Sequence, residues 1–138
     1  MNLVIDASVA IKWFVKENLH DEARRLLDGQ DDLHAPDLLV VELANVAWKK
    51  TARREIDARQ ARDIALAYLD GVPRLWSSAD LVDRALQIAL ELGHPIYDCL
   101  YIACAEAVSG VLVTADGRLR AAVDATRFEP LVRYLGSS

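Results

Sequence analysis

The stretch VLVTADGRL (residues 111–119) opens as a short β-branched run, meets an acid and a glycine, and continues as the start of a helix. The N-terminus has the same grammar. In LVIDASVAIKW (3–13) the apolar run LVI is followed at once by Asp6 and then by a helix expected from Ser8 to Lys16. Two buried-type strands, each ending in an aspartate and each passing into a helix, point to parallel strands joined by helical crossovers.

The rest of the chain fits that frame. HDEARRLLDG reads as a second helix ending at Gly29, and DLHAP (32–36) as a weak strand. Pro36 and Asp37 open a third helix running to about Arg54. A fourth is expected over 57–70, with Ala58, Ala61, Ala65 and Tyr68 on one face, and PRLWSS is a possible strand. Residues 80–92 give a clear amphipathic helix with Asp80, Asp83, Arg84, Gln87 and Glu91 as its solvent stripe; Gly93 ends it and Pro95 restarts the chain. YDCLYIACAEAV (97–108) is apolar nearly all round, as a central buried helix would be. The expected fold is therefore α/β, with a parallel sheet covered by helices on both faces, in a single domain spanning 1–138. In such sheets sites form beyond the carboxyl ends of the strands.

Composition excludes several classes. With 53% apolar and 27% charged residues the chain is neither disordered nor membrane-spanning. MNLVIDAS has no basic leader character, so a cytoplasmic protein is expected. Cys99 and Cys104 lack metal-ligand spacing and read as small core residues. His20, His34 and His94 show no paired spacing and are assigned surface or turn roles. Trp48 is expected to be buried, opposite Glu42 on the third helix.

Four acids stand where sites form. Asp6 and Asp116 follow strands, Asp98 opens the buried helix, and Glu42 interrupts the apolar run LLVVELANVAW (38–48). Singly, Asp6 and Asp116 could be helix caps and Asp98 a dipole partner. Together they would repel: two carboxylates ~4 Å apart cost roughly 4 kcal/mol at an effective dielectric of 20. A cation is the natural remedy, and oxygen donors select Mg²⁺ or Mn²⁺.

VIDASVAIKWF, DLLVVELANVAW, YDCLYIACAEA and VLVTADGRL, in this order along the whole chain, resemble the PIN-domain family, specifically VapC-type toxins of type II toxin–antitoxin systems. The resemblance implies a PIN-like three-layer α/β/α sandwich with a short parallel sheet of four or five strands. It implies a metal-dependent endoribonuclease whose quartet Asp6, Glu42, Asp98 and Asp116 holds Mg²⁺ (or Mn²⁺), which activates water for in-line attack on RNA phosphodiesters. Ser8 and Thr114 match supporting hydroxyl positions. Implied partners are RNA, a cognate VapB-like antitoxin and a second copy in a homodimer, with no membrane. The rival readings are a PIN-like scaffold binding RNA or protein without turnover, and a haloacid-dehalogenase-like phosphatase, which would need an acid where Ser8 stands.

Two cationic stripes lead away from these acids. On the third helix Glu42, Asn45, Lys49 and Arg53 share a face; on the first, Ser8, Lys12 and Lys16 do. Lys12, Lys49 and Arg53 are thus candidates for the RNA backbone. The net charge of −5 does not oppose this, since four site carboxylates set aside leave −1.

Overall fold

The computed structural model describes residues 1–137. Five strands form one sheet: β1 (Asn2–Ile5), β2 (Asp32–Pro36), β3 (Arg74–Trp76), β4 (Val111–Thr114) and β5 (Val132–Tyr134). Their spatial order is β3-β2-β1-β4-β5, and every pairing is parallel. Leu3 lies beside Leu33 and Val111, and Ile5 beside Val113. The central strands are buried on both faces: Leu3, Val4, Ile5, Leu112 and Val113 are all solvent-inaccessible. β5, three residues long after Pro130, was not anticipated from the sequence.

From β1 the chain moves outward to β2 and β3, then returns through α6 to the other side as β4. The strand order therefore reverses between β1 and β4, and beyond their carboxyl ends is where sheets of this kind place their sites. Asp6 and Thr114 lie there.

Seven α-helices connect the strands: α1 (Ala7–Ala10), α2 (His20–Asp28), α3 (Leu38–Ala52), α4 (Ala58–Ala65), α5 (Ser78–Leu92), α6 (Ile96–Ala107) and α7 (Gly117–Ala122). As its composition foretold, α6 is the buried one: Cys99 through Ala105 are all in the core, both cysteines included. Burial raises the Cys99 thiol pKa to about 11 and that of Cys104 to about 12. These thiols are core residues in the protonated form.

Two helices differ from expectation. The one predicted from Ser8 to Lys16 leaves α geometry after Ala10 and tightens into a 3₁₀ turn over Ile11–Trp13. There the Trp13 indole N–H donates to the Ala23 carbonyl at 2.9 Å, anchoring the turn under α2. The predicted helix over 57–70 splits into α4 and a 3₁₀ turn at Ala67–Asp70. Its core anchor is Ile64, while Tyr68 is exposed. A run of alanines marks no face strongly, so one isoleucine decides the rotation.

Trp48 is 64% exposed and not buried. α3 buries Leu39, Leu43 and Ala47 instead, which turns Val41 and Trp48 outward. α5 has an exposed apolar ridge of its own, Val82, Leu86 and Leu90, beside the predicted polar stripe.

His34 is also buried, against the surface role assigned to it. The Trp76 indole N–H donates to its Nδ1 at 3.1 Å, so Nε2 carries the proton and donates to Asn2 Oδ1, also at 3.1 Å. Burial holds its pKa below the ordinary histidine value. With the folded pKa depressed, the stabilisation is present above about pH 6.5 and is lost as the pH falls. The fold is thus expected to weaken between pH 7 and 5 as Trp76 loses its acceptor. The Trp76 indole N–H resonance should move with that transition, and an unmoved resonance would refute the coupling.

Candidate functional site

Asp6 ends β1 and caps α1, its Oδ1 accepting from Val9 N at 3.2 Å and from the Ser8 hydroxyl at 2.6 Å. The Thr114 hydroxyl donates to Oδ2 from the end of β4. Each hydroxyl is itself oriented by the backbone after β4: Ala115 N donates to Ser8 Oγ at 2.8 Å and Asp116 N to Thr114 Oγ1 at 3.0 Å. One carboxylate thus joins the two strands that meet at the switch point. Burial dominates its electrostatics. Despite three donors, desolvation, with the Asp98 charge adding, raises the Asp6 pKa to about 6.

Glu42 lies in the second turn of α3 and is partly buried. Its Oε1 accepts from the Tyr101 hydroxyl of α6. Burial raises its pKa, and again Asp98 contributes. Asp98, in the first turn of α6, accepts at Oδ2 from His94 Nε2 at 2.6 Å. Gly93, at φ +64°, ends α5 in the left-handed conformation just before that histidine. The Tyr101 phenol is driven far above its ordinary pKa by burial and by the charges of Glu42, Asp6 and Asp98.

Asp6, Glu42 and Asp98 therefore all act on the Tyr101 phenol, with Asp6 and Glu42 desolvated and Asp98 about a third exposed. Asp116 reaches Thr114 through its backbone N–H, while its carboxylate Oδ1 caps α7 by accepting from Arg118 N at 2.9 Å. Among the described residues, no three acidic, histidine or cysteine side chains gather tightly enough to enclose an ion unaided. The donors are hard oxygens in an incomplete set, which fits a divalent cation that keeps several waters.

Lys12 does not belong here. It is buried, and its ammonium lies 2.8 Å from Glu17 Oε2, because a desolvated lysine needs a carboxylate beside it. Lys50 joins the same Glu17 at 2.8 Å and pairs also with Glu55. Lys49, in the last turn of α3, and Arg53, just after its end, are exposed.

His94 and Tyr101 were missed in the sequence. Spacing held the clue for Tyr101, which follows Asp98 by three residues and so shares its helical face, while His94 reaches Asp98 from the turn before α6.

The PIN domain pattern matches residues 3–124. The chain belongs to the PIN-domain family. Within it, it is 33% identical over 122 residues to the ribonuclease VapC3 of Pyrobaculum aerophilum, covering 86% of this chain and 92% of that one, which places it among the VapC proteins. Solved VapC structures share the fold. VapC20 of Mycobacterium tuberculosis, a sarcin-ricin loop cleaving toxin, superposes with a TM-score of 0.67 at 20% identity, over 87% of this chain and 94% of its own. VapBC2 of Rickettsia felis, bound to a DNA fragment from their promoter, gives 0.62 at 11% identity, over 97% and 98%. Membership in this family removes the haloacid-dehalogenase-like reading; at its decisive position the VapC-type chain has Ser8, which donates to Asp6. No helix among the described residues is long and apolar enough to cross a membrane.

Proposed function

We propose that this PIN domain is a metal-dependent endoribonuclease and the toxin of a toxin–antitoxin pair. The observation that carries the reading is Asp6: a carboxylate buried at the switch point of the sheet, within the electrostatic reach of Asp98, whose charge acts on Glu42 as well. Its burial has a structural cost that a bound cation would offset. Asp6 and Asp98 would be the principal holders of Mg²⁺ or Mn²⁺, with Glu42 and Asp116 acting directly or through water. Such an ion lowers the pKa of water and neutralises charge developing on a phosphoryl group. The protein's part is to fix the acids: Ser8, Thr114 and the Val9 N–H orient Asp6, and the His94 ring orients Asp98.

The names of the relatives support RNA as substrate. The VapBC2 assembly supports an antitoxin as partner. The exposed apolar ridge of α5, with Val41 and Trp48 of α3, supports a homodimer, because such surface is costly to leave in water. The test of function is cleavage of total RNA with Mg²⁺ or Mn²⁺, set against EDTA. Cleavage undiminished by EDTA would defeat the reading, and metal-independent RNA binding without cleavage would favour the scaffold.

Lys49 lies on the face of α3 that Glu42 begins and Arg53 follows at the end of the helix, and we assign them to the RNA backbone. If each neutralises one phosphate of a single strand, the double variant Lys49→Ala, Arg53→Ala should flatten the log–log dependence of affinity on salt by about 1.4. Filter binding to a catalytically silent variant at several salt concentrations measures this. An unchanged slope would put the RNA elsewhere.

A further inference from the structure

Tyr101 is 1% exposed, and its only side-chain polar atom donates to a carboxylate that arrives from another helix, 59 residues earlier in the chain. A buried phenol needs an acceptor, and a backbone carbonyl or a water would satisfy it equally well. Here the acceptor is Glu42 Oε1. Asp98 stands one turn before Tyr101 on α6, the helix packed against β1, β2 and β4. One rigid element therefore sets two acids, Asp98 by carrying it and Glu42 through the phenol. Glutamate has one more rotatable bond than aspartate, and Glu42 sits on a helix edge between buried Leu43 and exposed Val41. Without a partner its carboxylate could swing toward solvent.

Resting on the reading of these acids as a cation site, we infer that Tyr101 is a positioning residue, whose hydroxyl holds Glu42 Oε1 so that Oε2 is presented to the cation or to its water. Among the described residues Oε2 has no protein donor, which leaves it free for that purpose. Tyr101 itself exchanges no proton with substrate.

The experiment is Mn²⁺ binding by isothermal titration calorimetry, with single-turnover RNA cleavage, for wild type, Tyr101→Phe, Glu42→Ala, the double variant and Asp6→Asn. Tyr101→Phe should weaken Mn²⁺ binding about tenfold, the lower end of the effect of losing a group that orients a ligand. It should lower kcat and leave KM for RNA unchanged. In the Glu42→Ala background the same substitution should change neither quantity, because a group that acts through another is silent once that other is gone. Wild-type affinity and kcat in Tyr101→Phe, with binding lost in Asp6→Asn, would overturn the role of Tyr101 alone. Equal losses in both backgrounds would assign Tyr101 to packing and overturn it too. A wild-type protein that binds no Mn²⁺ would overturn the cation site and this inference with it. Should Tyr101→Phe not fold, 3-fluorotyrosine labelling supplies the measurement without it. The Tyr101 fluorine resonance, assigned by replacing Tyr68, Tyr97 and Tyr134 with phenylalanine, should shift on adding Mg²⁺ in wild type and stay fixed in Glu42→Ala. No shift in wild type would overturn the proposal.

Discussion

Asp98→Asn is expected to lower metal-dependent RNA cleavage by about a hundredfold or more, roughly 2.7 kcal/mol of transition-state stabilisation. The substitution keeps size and shape, and an asparagine carbonyl still accepts from His94 Nε2, so α6 should start as before. What disappears is one negative charge in a neighbourhood whose other charges, Asp6 and Glu42, are already disfavoured by burial. Their pKa values should fall toward normal while the hold on a divalent cation weakens. Single-turnover cleavage of a defined RNA in Mg²⁺ or Mn²⁺, beside thermal melts of both proteins, separates a chemical loss from a folding one. A variant that cleaves at the wild-type rate would remove Asp98 from the mechanism.

The second large effect is on stability, and its sign runs against function. Asp6 has a folded pKa of about 6, above its ordinary 3.8, so it favours folding relative to its ionised state below about pH 4 and loses that contribution as the pH rises through 6. At 1.36 kcal/mol per unit, the penalty above pH 7 is about 3 kcal/mol in metal-free protein. The group is almost wholly buried, so water screens little of it. In EDTA, wild type should therefore become less stable relative to Asp6→Asn between pH 4 and 7.5 by about this amount, measured by urea unfolding of both. Other groups titrate in this range, His34 in the opposite direction, and the difference between the two proteins cancels them. Saturating Mg²⁺ should close the gap in wild type. A flat difference profile would show that Ser8, Thr114 and the Val9 N–H fully compensate the burial of the charge.

Much of this was legible in the residues. LVI and VLV became β1 and β4 because runs of that kind suit a doubly covered parallel sheet, and the aspartate after each marked its carboxyl end. The all-round apolarity of α6 foretold its burial. Local patterns were less informative where neighbours decide. Lys12 looked like part of a cationic stripe, but its partner Glu17 lies beyond the end of the 3₁₀ turn that interrupts the predicted helix. Trp48 faces outward because Leu39, Leu43 and Ala47 claimed the core, a choice between two apolar faces that periodicity alone does not make. Among the site residues, His94 and Tyr101 were hidden because neither is an acid. Their significance appears only when α6 and the turn before it bring each of them to one.

The bonds that frame Asp6 also bear on timing. Thr114 meets Asp6 across 108 positions of the chain, and Ala115 N meets Ser8 across 107. A chain made only as far as residue 110 contains Asp6, Glu42 and Asp98 but lacks the strand that orients Asp6. Contacts of such long range form late in folding. The frame around Asp6 is thus completed only once β4 has been made, and an unfinished or truncated copy ending before residue 111 lacks half of it.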